Sequence, residues 1–65
     1  MDIRLSKHAK LRCREKKITF EEVRDVIIKG MKWREGDTIH AKKGGIEAVY
    51  KVANRICWVI TAYYV

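Results

Sequence analysis

The spacing of apolar residues along this chain changes once, at Gly30: before it they recur at helical intervals of about 3.6, and after it they alternate. Ser6 is placed to cap a helix running to about Lys16, its hydroxyl satisfying one of the free amide donors at that end. Thr19 and Glu22 form a capping box, with Ile18 and Val23 as its hydrophobic staple, so a second helix starts at Phe20. Gly30 is expected to end that helix as a left-handed cap. Asp2 to Leu5 reads as a short edge strand ahead of both.

Beyond Gly30, Met31 and Trp33 alternate against Lys32 and Arg34, and Ile39 and Ala41 against Thr38, His40 and Lys42. Glu35-Gly36-Asp37 and Lys43-Gly44-Gly45 carry turn residues able to adopt positive φ, and Asn54-Arg55 separates two runs rich in β-branched and aromatic residues. The pattern predicts an α+β domain spanning residues 1–65, with two N-terminal helices packed on one face of a three- to four-stranded antiparallel meander. With Asn54-Arg55 as a two-residue turn, Val52 opposes Cys57, Tyr50 opposes Val59, Ala48 opposes Thr61 and Ile46 opposes Tyr63, and this face meets the helices. The reverse face then carries Glu47, Val49, Lys51, Ile56, Trp58, Ile60 and Ala62.

Sixty-five residues supply one small core, near the lower limit for a fold without metal or disulfide support. Cys13 and Cys57 lie far apart with no Cys-x-x-Cys, which excludes a zinc-ribbon pattern and a dense disulfide framework and leaves two reduced, packed thiols. No metal or other cofactor is expected. The absence of an apolar run of about 18 residues or more speaks against a signal peptide and a membrane span, so a cytoplasmic location is the expectation. The net charge of +7 is concentrated early, with Arg4, Lys7, Lys10, Arg12, Arg14, Lys16 and Lys17 set against Asp2 and Glu15. Each such cation is rewarded by counterion release on a phosphate backbone, which makes RNA or another anionic nucleic acid the first partner to consider.

At about 100° per residue, Lys7, Lys10, Arg14 and Lys17 gather on one solvent-facing arc of the first helix. His8, Glu15 and Arg12 fall between apolar positions on the remainder and are expected to be half-buried. Arg12 needs an anionic or carbonyl partner in such a place. Two arrangements meet that need. Arg12 pairs with Glu15 or a strand carbonyl while His8 serves the helix start, or His8 and Arg12 form an anion site in which one group exchanges protons near neutrality and the other clamps a phosphate.

The segment Ser6-x-His8-Ala9-x-x-Arg12, the run Ile18-Thr19-x-Glu21-Glu22-Val23, the helix ending at Gly30 and the strand Trp58-Val59-Ile60-Thr61-Ala62-Tyr63 together resemble a family of small bacterial and archaeal proteins of unassigned function. More distantly, nearly the whole chain is similar to the RelE-like and BrnT-like toxins. That resemblance implies a RelE-like fold and a metal-independent endoribonuclease that uses the RNA 2′-hydroxyl as nucleophile and leaves a cyclic phosphate. It implies His8 as acid or base and Arg12 as phosphate clamp, with Thr61 and Tyr63 adding hydrogen bonds from the last strand. RelE-type toxins place basic residues and a tyrosine on the sheet, which makes Lys51 and Arg55 a second cationic set beside Lys7, Lys10 and Arg14. The chain departs from those toxins in having no basic segment after its last strand.

Three functions are therefore carried forward: a toxin-type ribonuclease, a non-catalytic nucleic-acid-binding module, and a protein-interaction domain. The last takes a homodimer or an acidic antitoxin-like partner on its Val49, Ile56, Trp58 and Ile60 face. His40, alternating with Thr38 and Lys42, reads as a solvated strand residue. Trp33, Trp58, Tyr50, Tyr63 and Tyr64 read as core or interface aromatics, with stacking on single-stranded bases as the other use of such rings.

Overall fold

The computed structural model describes all of residues 1–65. Its elements in order are β1 (Asp2–Leu5), α1 (Lys7–Lys16), α2 (Phe20–Lys29), β2 (Met31–Glu35), β3 (Thr38–Lys43), β4 (Ile46–Ala53) and β5 (Ile56–Tyr64). Strands β2 to β5 form the antiparallel meander. β1 then adds to β5 in parallel, so the sheet is five-stranded and mixed, in the order β1-β5-β4-β3-β2. The sheet thus differs from the expected three- to four-stranded antiparallel meander by this parallel fifth strand. Four residues of alternation mark a strand but carry no information about its partner or direction.

Both helix starts follow from local chemistry. The Ser6 hydroxyl accepts the Ala9 N–H at 3.1 Å. Thr19 and Glu22 close their reciprocal box, the Glu22 N–H donating to the Thr19 hydroxyl at 3.1 Å and the Thr19 N–H to the Glu22 carboxylate at 2.9 Å. α1 ends through Lys17, whose left-handed φ of 58° lets the Lys17 N–H reach the Arg14 carbonyl while the Ile18 N–H reaches that of Cys13.

Gly30 does not adopt the expected left-handed conformation: its φ is −73° and its ψ 166°. Glycine is required there for space. A Cβ would stand 2.4 Å from the Val26 carbonyl oxygen and 2.8 Å from that of Lys42, so the end of α2 runs directly over the backbone of β3.

The helices cover one face of the sheet, α1 over β5 and β1, and α2 over β3 and β4. Between them lies one core of Ile3, Ala9, Cys13, Ile18, Val23, Val26, Ile27, Ala41, Ile46, Ala48, Tyr50, Cys57, Val59 and Ala62. The alanines at 9, 41, 48 and 62 let helix and sheet backbones approach, and full burial of Ile27 and Val23 contributes about 1.5–3 kcal/mol each. Both cysteines are buried free thiols, and burial pushes Cys57 up to about 11, which keeps it protonated and inert.

The β4–β5 hairpin turns at Asn54 and Arg55, both with positive φ, and begins in the expected register, with Val52 opposite Cys57 and Tyr50 opposite Val59. The register then slips. Val49 pairs with Thr61, Ala48 with Ala62 and Ile46 with Tyr64, leaving Ile60 as the extra residue of a β-bulge. Because side chains alternate with period two, that one residue exchanges the faces of everything after it. Ala62 enters the core, and Thr61 and Tyr63 turn to the face that carries no helix, where they take the places expected for Ile60 and Ala62.

Candidate functional site

α1 rests on the sheet through a narrow stripe, Ala9 and Cys13, so nearly all its other side chains reach solvent. His8, Arg12 and Glu15 are exposed, not half-buried as their arc suggested, because two small residues are all that α1 contributes to the core. The Arg12 Nε–H donates to His8 Nε2 over a long 3.5 Å, and Arg12 lies 3.8 Å from the Glu15 carboxylate. Both contacts are exposed and hold the guanidinium only weakly. Beside the pair, Lys7, His8, Lys10, Leu11 and Arg14 line a surface groove. The geometry places His8 Nε2 as an acceptor among the cations of this groove.

Thr61 and Tyr63 are not part of this arrangement. The bulge at Ile60 overturns the expectation that they face the helices, and places them across the sheet from His8 and Arg12. Lys51 is also on the helix-free face, 3.1 Å from Asp37, and Arg55 sits exposed in the β4–β5 turn. Of the expected nucleic-acid contacts, the structure brings together Lys7, Lys10 and Arg14 around His8, and leaves Lys51 and Arg55 elsewhere.

The helix-free face holds its own cluster. The Tyr63 hydroxyl donates to Glu47, and His40 Nδ1 lies 2.8 Å from the same Glu47 oxygen. His40 Nε2 is 2.9 Å from Glu35, and its ring stacks on Trp33 with centroids 5.3 Å apart. A proton on each ring nitrogen turns both carboxylate contacts into hydrogen bonds. His40 is thus no solvated strand residue: its side chain and that of Glu47 are each only 12% exposed. The sequence signal that would have found it is diagonal pairing, since a turn at Gly44-Gly45 sets Lys42 opposite Glu47 and so brings Glu47 within reach of His40.

This cluster ties four strands together. Donation from Tyr63, and then from His40, holds the Glu47 carboxyl below the usual carboxylate range. The same hydrogen bond, together with burial, pushes the Tyr63 phenol up to about 12. Proton transfer near neutral pH is served by groups whose pKa values approach it. Both of these move away from it, as befits a clamp that keeps the sheet in register. No set of three or more His, Cys, Asp or Glu side chains is arranged to hold a metal ion.

Two short helices over one face of this five-stranded sheet constitute a RelE-like α+β fold. The chain is similar to one in the crystal structure of the toxin–antitoxin complex RelBE2 from Mycobacterium tuberculosis, with a TM-score of 0.72 and 14% sequence identity over 98% of this chain and 96% of that one. At that identity the likeness is one of fold. No protein-family model and no curated protein matches the sequence. No helix is long and apolar enough to cross a membrane.

Proposed function

We propose that this chain is an RNA-directed, toxin-type domain that cleaves RNA without a metal ion, through His8 and Arg12 on the solvent face of α1. The observation that carries the reading is the exposed contact of Arg12 with His8, whose imidazole lines one groove with Lys7, Lys10, Leu11 and Arg14. An incoming phosphodiester draws Arg12 away from its weak partners, because a bidentate phosphate contact is stronger than either. His8 Nε2, released from Arg12, takes the proton of the 2′-hydroxyl as that oxygen attacks phosphorus. The charge building on the phosphoryl oxygens is met by Arg12 and the neighbouring ammonium groups. The bond to the 5′-oxygen breaks, a proton from solvent neutralises it, and a 2′,3′-cyclic phosphate remains.

Single-stranded RNA incubated with the protein in EDTA should yield cyclic-phosphate ends. His8→Ala and Arg12→Ala should each abolish the cleavage with an unchanged circular dichroism spectrum, since both side chains are exposed. Cleavage by His8→Ala at the wild-type rate would remove this chemistry.

A second reading is favoured by the placement of Thr61 and Tyr63 away from His8, which leaves the pair without the hydrogen-bonding partners expected from β5. In this reading the chain binds nucleic acid without cutting it. Affinity should fall steeply with salt, decline step by step as Lys7, Lys10 and Arg14 are neutralised, and be indifferent to His8→Ala. Either reading accommodates an acidic, antitoxin-type protein partner. A net charge of +7 and the fold shared with a chain from a toxin–antitoxin complex support such a partner, and an acidic protein that co-purifies with this chain and suppresses its RNA binding is the expected sign of it.

A further inference from the structure

Phe20 is the first residue of α2, and neither the helix start nor the core uses its ring. The cap is made by Thr19 and Glu22, and the staple residues Ile18 and Val23 are both buried, whereas Phe20 remains 42% exposed. Trp58 is the second such ring. It lies on β5 between Arg4 and Lys51, its register partners on β1 and β4, and is 39% exposed. Phe20 and Trp58 line one groove, which wraps the β1 edge of the sheet together with Ile3, Arg4, Leu5 and Lys10. Lys10 lines this groove and the cationic groove of α1 alike, so the two adjoin at its side chain.

We infer that Phe20 and Trp58 form a stacking subsite for unpaired nucleobases, entered by a strand whose phosphates lie along Lys7, Lys10 and Arg14. The inference rests on the RNA reading of α1 and adds to it the class of substrate: single-stranded, with bases splayed toward the β1 edge. Aromatic faces next to a cationic track are the recurring means of holding single strands, since every base presents a π-face and a duplex hides it. Arg4 strengthens the platform. Its guanidinium stands 5.8 Å from the Trp58 ring centroid and is tethered to Asp2 at 3.0 Å. The two exposed rings favour a base over an acidic peptide as the occupant, because carboxylates would engage the cations and leave both π-faces unused.

The test uses the full chain carrying Trp33→Phe, which leaves Trp58 as its one indole. The probes are a short single-stranded deoxyoligonucleotide, which a 2′-hydroxyl mechanism cannot cut, the abasic strand of equal length, the matching duplex, and polyglutamate. The single strand should quench Trp58 emission and bind about tenfold more tightly than the abasic strand. Phe20→Ala, read by Trp58 quenching, and Trp58→Ala, read by competition with the Trp58-bearing protein, should each reduce that preference while leaving affinity for the abasic strand in place. Equal affinity for base-bearing and abasic strands would overturn the stacking subsite alone. Quenching by polyglutamate or the duplex as strong as by the single strand would do the same. Failure of both single strands to bind would instead overturn the phosphate track on α1, and the subsite with it.

Discussion

The Ser6 hydroxyl donates to the Ile60 carbonyl at 3.3 Å, while the Ser6 N–H donates to the carbonyl of Val59 at 2.9 Å. The residue that caps α1 therefore also grips the β-bulge of β5. One residue thus joins the start of the cationic helix to the point where β5 changes register.

Ser6→Ala should lose about 1–2 kcal/mol of stability, the usual cost of an N-cap, read as a lower urea midpoint. Ser6→Asp separates the two roles. Its carboxylate still accepts from the Ala9 N–H but cannot donate to Ile60, so the stability of α1 should recover while amide exchange around Ile60 and Thr61 stays faster than in the parent. Full protection at the bulge in both variants would show that Ser6 does not hold it.

Stability should depend on pH at both ends of the scale through the Glu47–Tyr63 contact. Glu47 is depressed in the folded state, so its contribution is complete above the ordinary carboxylate range and is lost as pH falls through the lowered value. Tyr63 is raised from 10 to about 12, so its contribution is complete below pH 10 and is lost as pH rises toward 12. Urea midpoints across pH should show Glu47→Gln flattening part of the acid limb, the rest belonging to Asp25 and Asp37, which Lys43 and Lys51 hold low. Tyr63→Phe should remove the most alkaline step of the phenolate absorbance titration.

Gly30→Ala should destabilise the protein by about 1–3 kcal/mol, because carbonyls of both α2 and β3 would have to retreat from the new methyl group. Glycine in a left-handed cap would give the opposite pattern of tolerance, with asparagine acceptable there. Gly30→Asn at least as destabilising as Gly30→Ala is the result expected from the crowding observed.

Two basic residues occupy positions that suit glycine. Lys17 closes α1 with a φ of 58°, and Arg55 takes the second place of its turn with a φ of 64°. Lys17→Gly and Arg55→Gly should each raise the thermal midpoint, by about 1 kcal/mol in stability terms, as left-handed strain is relieved. A loss of stability in both would mean that these side chains make contacts that outweigh the strain.

How much of this was legible in the residues follows from how local each cause is. The Thr19/Glu22 box and the Asn54-Arg55 turn act within four residues, and both stand where the sequence pattern puts them. The contact between His8 and Arg12 was legible because residues four apart on a helix are neighbours. Their exposure is not legible there, since the burial of α1 depends on how few residues it lends to the core, a tertiary matter. The bulge left no trace because Ile60 and Thr61 are both good strand residues, and nothing in their alternation betrays an extra one. At Gly30 the sequence suggests the commoner of two reasons for a glycine, a left-handed cap, and the other, crowding, depends on β3 lying beneath α2. His40 reads as solvated in the sequence because its partners, Trp33 and Glu35 on β2 and Glu47 on β4, come from strands other than its own.

Parallel pairing of β1 with β5 joins the first few residues of the chain to its last strand. During synthesis the amino-terminal strand must wait without a neighbour until β5 has emerged, and only then can Ser6 find the carbonyls that anchor it. α1, which packs on β5 and β1, can take its final seat only once β5 is in place, so the working arrangement of its cations requires the whole domain.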